Sequence, residues 1–179
     1  MRVAIISNGP SAELFRNADR DSFDAVIGVN GRVALFRCDW WCFVDWPTFV
    51  DIEPLNHPRL FVSKFVPIKL AANAPEHMER FHAHRTTLYH QDTAMPTLPE
   101  DLPPWYSFSG TAALGLAWRL GANRVTVYGA DMDGDMDHDG KVGVSRTPQR
   151  WAHERRIWGG IVHALVEHGL AVQRVLWPE

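Results

Sequence analysis

Val3-Ala4-Ile5-Ile6 contains no polar atom beyond its backbone, and the run stops at Ser7-Asn8-Gly9-Pro10-Ser11. The same pattern recurs along the chain. Asp24-Ala-Val-Ile-Gly-Val-Asn30 ends on Asn30-Gly31, Trp40-Trp-Cys-Phe-Val-Asp45 ends on Asp45, and Asn123-Arg-Val-Thr-Val-Tyr-Gly-Ala-Asp131 ends on Asp131. Uninterrupted apolar runs of this length are strands covered on both faces, since a half-exposed strand would alternate. Helix-patterned segments lie between them. Ser11–Ala18 reads as a short helix that begins either with Ser11 as N-cap or with Pro10 in the first turn. In Ser109–Ala122, Ala113, Leu116, Ala117 and Leu120 recur at helical spacing before Gly121, and Arg150–Gly169 reads as a long helix ended by Gly169. Arg59–Phe65 adds a fourth strand and Ala171–Trp177 a last one.

Alternating strands and helices predict an α/β fold, a single Rossmann-like domain over 1–179 with a mainly parallel sheet. Residues 66–105 are rich in Pro, His and Thr with weak periodicity, and fill most of a stretch, 47–104, that the strand and helix pattern does not organise. That stretch reads as a long irregular insertion or lid, with a short helix near Pro75–Ala83.

In parallel sheets ligands bind beyond the carboxyl ends of the strands. Those ends are the small or acidic groups just named. At Asn8-Gly9-Pro10-Ser11, Gly9 lacks the Cβ that would keep a ligand off the backbone, and the amides opening the next helix favour an anion. An ordinary turn is the competing explanation. Ser109-Gly110-Thr111 opens a second helix, where the hydroxyls either cap it or hold a phosphate or a base edge.

The loop Asp131-Met-Asp133-Gly-Asp135-Met-Asp137-His138-Asp139 carries five carboxylates. The stretch from Asp135 matches the opening of a calcium loop, D-x-D-x-D-G, but position twelve counted from Asp135 is Arg146 and a strand precedes it, so an EF-hand is excluded. Two readings remain. One is a site for Mg²⁺ or Mn²⁺ bridging phosphates, with Asp131, Asp133 and Asp135 as ligands. The other is a solvated acidic turn. A bound cation would relieve the mutual repulsion of these groups. His153, at the start of the long helix, is the histidine best placed to act as a general base, and Arg150, Arg155 and Arg156 flank it.

Composition narrows the partners. A formal net charge of -3 gives no basis for a nucleic-acid or anionic-membrane partner, and no apolar run approaches a bilayer span. The N-terminus reads as a first strand and not as a signal peptide. Cys38 and Cys42, read as same-face strand residues roughly 13 Å apart, are too distant for a disulfide and fit a reducing cytoplasm. Eight tryptophans suit core packing and a homodimer interface, with ring stacking on a ligand as a further use.

Together, Ile6–Ser11, Asp24–Asn30 and Phe108–Asp131 resemble the bacterial sialyltransferases that build lipooligosaccharide, which carry a G-N-G-P-S turn, an asparagine ending the second strand and an S-G helix start leading to G-x-D. They are equally similar to the archaeal 6-hydroxymethylpterin diphosphokinases, whose third strand ends on aspartate, as Asp45 does here. The resemblance implies a nucleotide or nucleotide-sugar as substrate. Asn8, Gly9, Pro10 and Ser11 would lie at its phosphates, Asn30 at ribose or phosphate, and Ser109 and Gly110 at the base, with His153 as acceptor base. The sialyltransferases place tyrosines after G-x-D, whereas this chain has Asp133, Asp135 and Asp137. That departure leans toward metal-assisted departure of the phosphate. The expectation is a nucleotide-dependent transferase of glycosyltransferase type using Asp131 and His153. The alternatives are a Mg-ATP diphosphokinase and a non-catalytic nucleotide binder.

Overall fold

A computed structural model describes residues 1–43, 63–67, 86–89, 96, 98, 100, 102, 108–134 and 147–177. Seven strands form one sheet: β1 Arg2–Ile6, β2 Ala25–Val29, β3 Trp40–Cys42, β4 Ser63–Pro67, β5 Thr86–Tyr89, β6 Arg124–Tyr128 and β7 Ala171–Arg174. Their spatial order is β5-β4-β3-β2-β1-β6-β7. Every neighbouring pair is parallel. The α/β fold with a parallel sheet is thus as the sequence implies. The long excursion adds two strands to one edge of that sheet, β4 two residues beyond the expected end and β5 unforeseen. The helix expected near Pro75–Ala83 lies outside the described residues.

The apolar runs are continuous because both faces are covered. Val3 and Ile5 of β1 join Ala25, Ile27 and Val29 of β2 and Val125 and Val127 of β6 in one core cluster. Helix α1 (Ser109–Arg119) and helix α2 (Pro148–Glu167) pack on it through Ala113, Leu116, Ala117, Ile157, Ile161 and Leu165. The alternate residues Ala4, Ile6, Val26 and Tyr128 face the opposite cluster, built with Ala12, Phe15, Val33 and Phe36. Each fully buried Ile, Val or Leu contributes roughly 1.5–3 kcal/mol. Two such faces account for why one strand needs no polar alternation.

Three details refine or correct the sequence reading. The segment after β1 is a 3-10 helix, Pro10–Asn17; of the two starts the sequence allows, it takes the one with Pro10 in the first turn, and Ser11 is not its N-cap. Cys38 and Cys42 are both free and buried, but they belong to opposite core clusters and not to one strand face, because β3 begins only at Trp40. Burial also pushes the Cys42 thiol far above its ordinary pKa, so it stays protonated and unreactive. Third, Asn30 does not extend β2. It opens a short 3-10 helix, Asn30–Ala34, with a left-handed φ of 50°.

Among the described residues no helix is long and apolar enough to cross a membrane.

Candidate functional site

Strand order fixes where a crevice opens. From β1 the chain moves stepwise through β2 to β5 on one side, then returns to place β6 on the other. The connections leaving the carboxyl ends of β1 and β6 therefore diverge, and a crevice opens between them. A cavity of about 430 Å³ lies there. Ser7, Asn8, Gly9 and Pro10 wall it after β1, Val29 and Asn30 after β2, and Gly129 to Asp133 after β6. Phe108, Ser109, Gly110 and Thr111 come from the start of α1, and Arg150, Trp151, Glu154 and Trp158 from α2. Residues more than 100 positions apart thus share one space, as the strand-end argument requires.

The turn after β1 turns out to be anchored internally. Gly9 N donates to Gly129 O at 2.7 Å, and Ser11 N donates to Asp131 Oδ2 at 3.1 Å. Ser11 Oγ lies 3.0 Å from the same carboxylate oxygen and 3.1 Å from Val175 O, and its single proton serves one of them at a time. It also accepts from Gly129 N at 2.9 Å. Asp131, 9% exposed, is therefore the anion that sits on the start of the Pro10–Asn17 helix. A Cβ on Gly9 would lie 2.1 Å from Asp131 Oδ2 and 2.8 Å from Gly129 O. The glycine makes room for Asp131, which replaces the expectation that its open backbone and the Ser11 amide receive a phosphate.

The start of α1 is different. Its N-cap is Phe108, with no side-chain cap. Thr111 Oγ1 donates back to Phe108 O at 2.9 Å. The amides of Ser109 and Gly110 have no acceptor among the described residues, and both residues face the cavity. Orphan amides at the N-terminus of an 11-residue helix favour a negatively charged group. Across the cavity, Asn30 Oδ1 is buried and has no hydrogen-bond donor among the described residues. A buried acceptor left without a donor costs about 1–3 kcal/mol, so a ligand donor there gains correspondingly.

The start of α2 is clasped to the acidic loop through backbone carbonyls. Trp151 Nε1 donates to Gly134 O and Arg155 donates to Met132 O, each at 2.7 Å. Arg150 pairs with Glu154 at 2.6 Å. Asp133 lines the cavity and is exposed. Among the described residues no three metal-ligating side chains converge. Asp135, the third expected ligand, lies outside them, as does Asp45.

His153 is not part of the cavity wall. It is exposed, with its ring edge-on to Phe108 at 6.4 Å between centroids. The reason is helical phase. At about 100° per residue, Arg150, Trp151, Glu154 and Trp158 share an arc of about 100°, and His153 falls about 60° outside it. That wheel, drawn from the sequence, would have found Glu154 and the two tryptophans, which the reading missed. Ser7 was also missed, although it directly precedes the Asn8 turn.

No family model, curated protein or solved structure matches this chain.

Proposed function

We propose that the protein binds a nucleotide in this cavity and acts as a nucleotide-dependent transferase of glycosyltransferase type. The observation that carries the reading is the pairing of uncapped amides at Ser109 and Gly110 with the unpartnered acceptor of Asn30 in one cavity. A nucleotide offers the complementary set: phosphate oxygens that accept and ribose or base groups that donate. The cavity volume also lies within the range of sites that hold such ligands, about 300–1,000 Å³. Trp151 and Trp158 supply ring surface for a base or a sugar.

In this reading the transfer occurs at the open rim. An acceptor hydroxyl arriving from solvent meets His153, which takes its proton. The acceptor oxygen bonds the sugar carbon while the bond to the nucleotide phosphate breaks, and the electron pair leaves on phosphate. A divalent ion held by Asp133 and Asp131 would neutralise that leaving charge. The exposed carboxylate of Asp133 at the cavity also favours a second reading, a Mg-ATP diphosphokinase, in which the same ion would sit on the transferred group.

Thermal unfolding with CMP, UDP, GDP and ATP, with and without Mg²⁺, separates these readings. At a ligand concentration 100 times Kd, binding stabilises by about 2.7 kcal/mol, a Tm rise of roughly 5–10 °C in a chain of this size. Stabilisation by CMP or a diphosphate nucleotide supports the glycosyltransferase reading. A rise requiring both ATP and Mg²⁺ selects the kinase. Stabilisation with no turnover of any donor leaves a binding protein, and no stabilisation by any nucleotide defeats all three.

A further inference from the structure

Arg32 stands in the 3-10 helix that follows β2, and it is 1% exposed. A guanidinium so deeply buried has to be hydrogen-bonded, since removing it from water is costly. It does not line the cavity. Its Nε donates instead to Asn8 Oδ1 at 3.1 Å, joining the segment after β2 to the turn after β1.

That single bond decides what Asn8 can do. The oxygen and nitrogen of a carboxamide are nearly the same shape, and their hydrogen-bond partners determine which faces where. An arginine nitrogen only donates, so the Asn8 atom facing it must be the acceptor, Oδ1. Nδ2 is then on the other branch of the amide. Asn8 borders the cavity, and its Nδ2 has no acceptor among the described residues. Nδ2 is thereby left as the donor of a side chain that borders the same cavity as the amides of Ser109 and Gly110. Asn30 Oδ1 is the acceptor of the set.

We propose that Arg32 is a positioning residue: it locks Asn8 in its donating orientation and so makes the Asn8 side of the cavity select a phosphate group. The inference rests on the nucleotide reading above. Two variants test it. Arg32→Met removes the lock. Asn8→Asp keeps the partner of Arg32 but replaces the Nδ2 donor with a carboxylate oxygen, and Asn8 is partly exposed, so the fold tolerates the change. Arg32→Lys restores a single donor to Oδ1.

The measurement is calorimetric affinity for CMP against cytidine and for ADP against adenosine, with inorganic pyrophosphate as a base-free probe. The wild-type chain is expected to prefer nucleotide over nucleoside. Arg32→Met and Asn8→Asp should each weaken nucleotide and pyrophosphate binding by about tenfold or more and leave nucleoside affinity within about twofold, with Arg32→Lys in between. A merely structural arginine would weaken nucleoside and nucleotide together. An unchanged nucleotide-to-nucleoside ratio in Arg32→Met, whatever Asn8→Asp does, overturns the proposal while the nucleotide reading stands. Pyrophosphate binding that Arg32→Met and Asn8→Asp both abolish, without any nucleotide binding, supports the positioning role and defeats the nucleotide reading. Absence of binding by every probe defeats both.

Discussion

Gly129→Ala is expected to destabilise the protein by about 3 kcal/mol, a fall in Tm of roughly 10 °C. Two costs add. Gly129 has φ 74°, in the region where a side chain is strained. Its Cβ would also lie 2.3 Å from Ser7 O and 2.8 Å from Ser7 C, and these are backbone atoms next to β1. Ser7 cannot easily retreat, because its N–H donates to Tyr128 O at 2.8 Å. Gly121→Ala is the control. Gly121 has φ 81° but open space around it, so it should cost only the conformational part, about 1 kcal/mol. Chemical denaturation of both variants reads the difference. Equal losses would mean that the close approach of the β1 and β6 ends is not under steric constraint.

Asp131→Ala is the second large effect, and its sign separates two accounts of the acidic loop. The buried carboxylate accepts from Ser11 N and lies within reach of Ser11 Oγ. Removing it leaves a buried amide without its acceptor, and charge-assisted bonds of this kind contribute about 1.5–3 kcal/mol. A loss of about 2–4 kcal/mol is expected in metal-free buffer containing chelator. Were Asp131 instead one of several repelling carboxylates waiting for a cation, its removal without metal would leave stability unchanged or raise it. Asp133→Ala is the comparison. It is exposed, so its loss should change stability by no more than about 0.5 kcal/mol.

These two residues show where sequence reading succeeds and where it stops. The strands β1, β2 and β6 are legible because burial on both faces makes their central residues mostly apolar, a local signal. The long helices are legible for a similar reason: Gly121 and Gly169 end them with positive φ. Strand β5 is not, since Thr86-Thr87-Leu88-Tyr89 has little apolar character and sits in a Pro- and His-rich stretch. It is ordered by pairing with β4, which only the sheet supplies. The purpose of Gly9 was likewise out of reach. Its partner Asp131 is bonded to a residue 120 positions away in sequence, and nothing local to either segment announces the other. A glycine facing a phosphate and a glycine facing a carboxylate read the same in one dimension.

The candidate site was legible as a set of places more than as a set of roles. Asn8, Gly9, Pro10, Asn30, Ser109, Gly110, Thr111, Asp131 and Asp133 all border the cavity. Ser11 is fully buried behind it. His153 missed the wall by its phase on α2, although the spacing that shows this was present in the sequence. Arg32 was invisible, since a lone arginine after a strand reads as a surface residue until its burial is seen.

The central claim is that a nucleotide sits in the crevice between the ends of β1 and β6 with its phosphate on the start of α1. Titration of the isotope-labelled protein with CMP and with ADP, followed through backbone amide and tryptophan indole chemical shifts, tests it most directly. The account predicts that the largest changes cluster at Asn8, Asn30, Ser109, Gly110 and the Trp151 indole, while amides around Gly121 and Gly169, with open space beside them, stay still. Saturable shifts centred elsewhere, or no shifts at millimolar nucleotide, would contradict it.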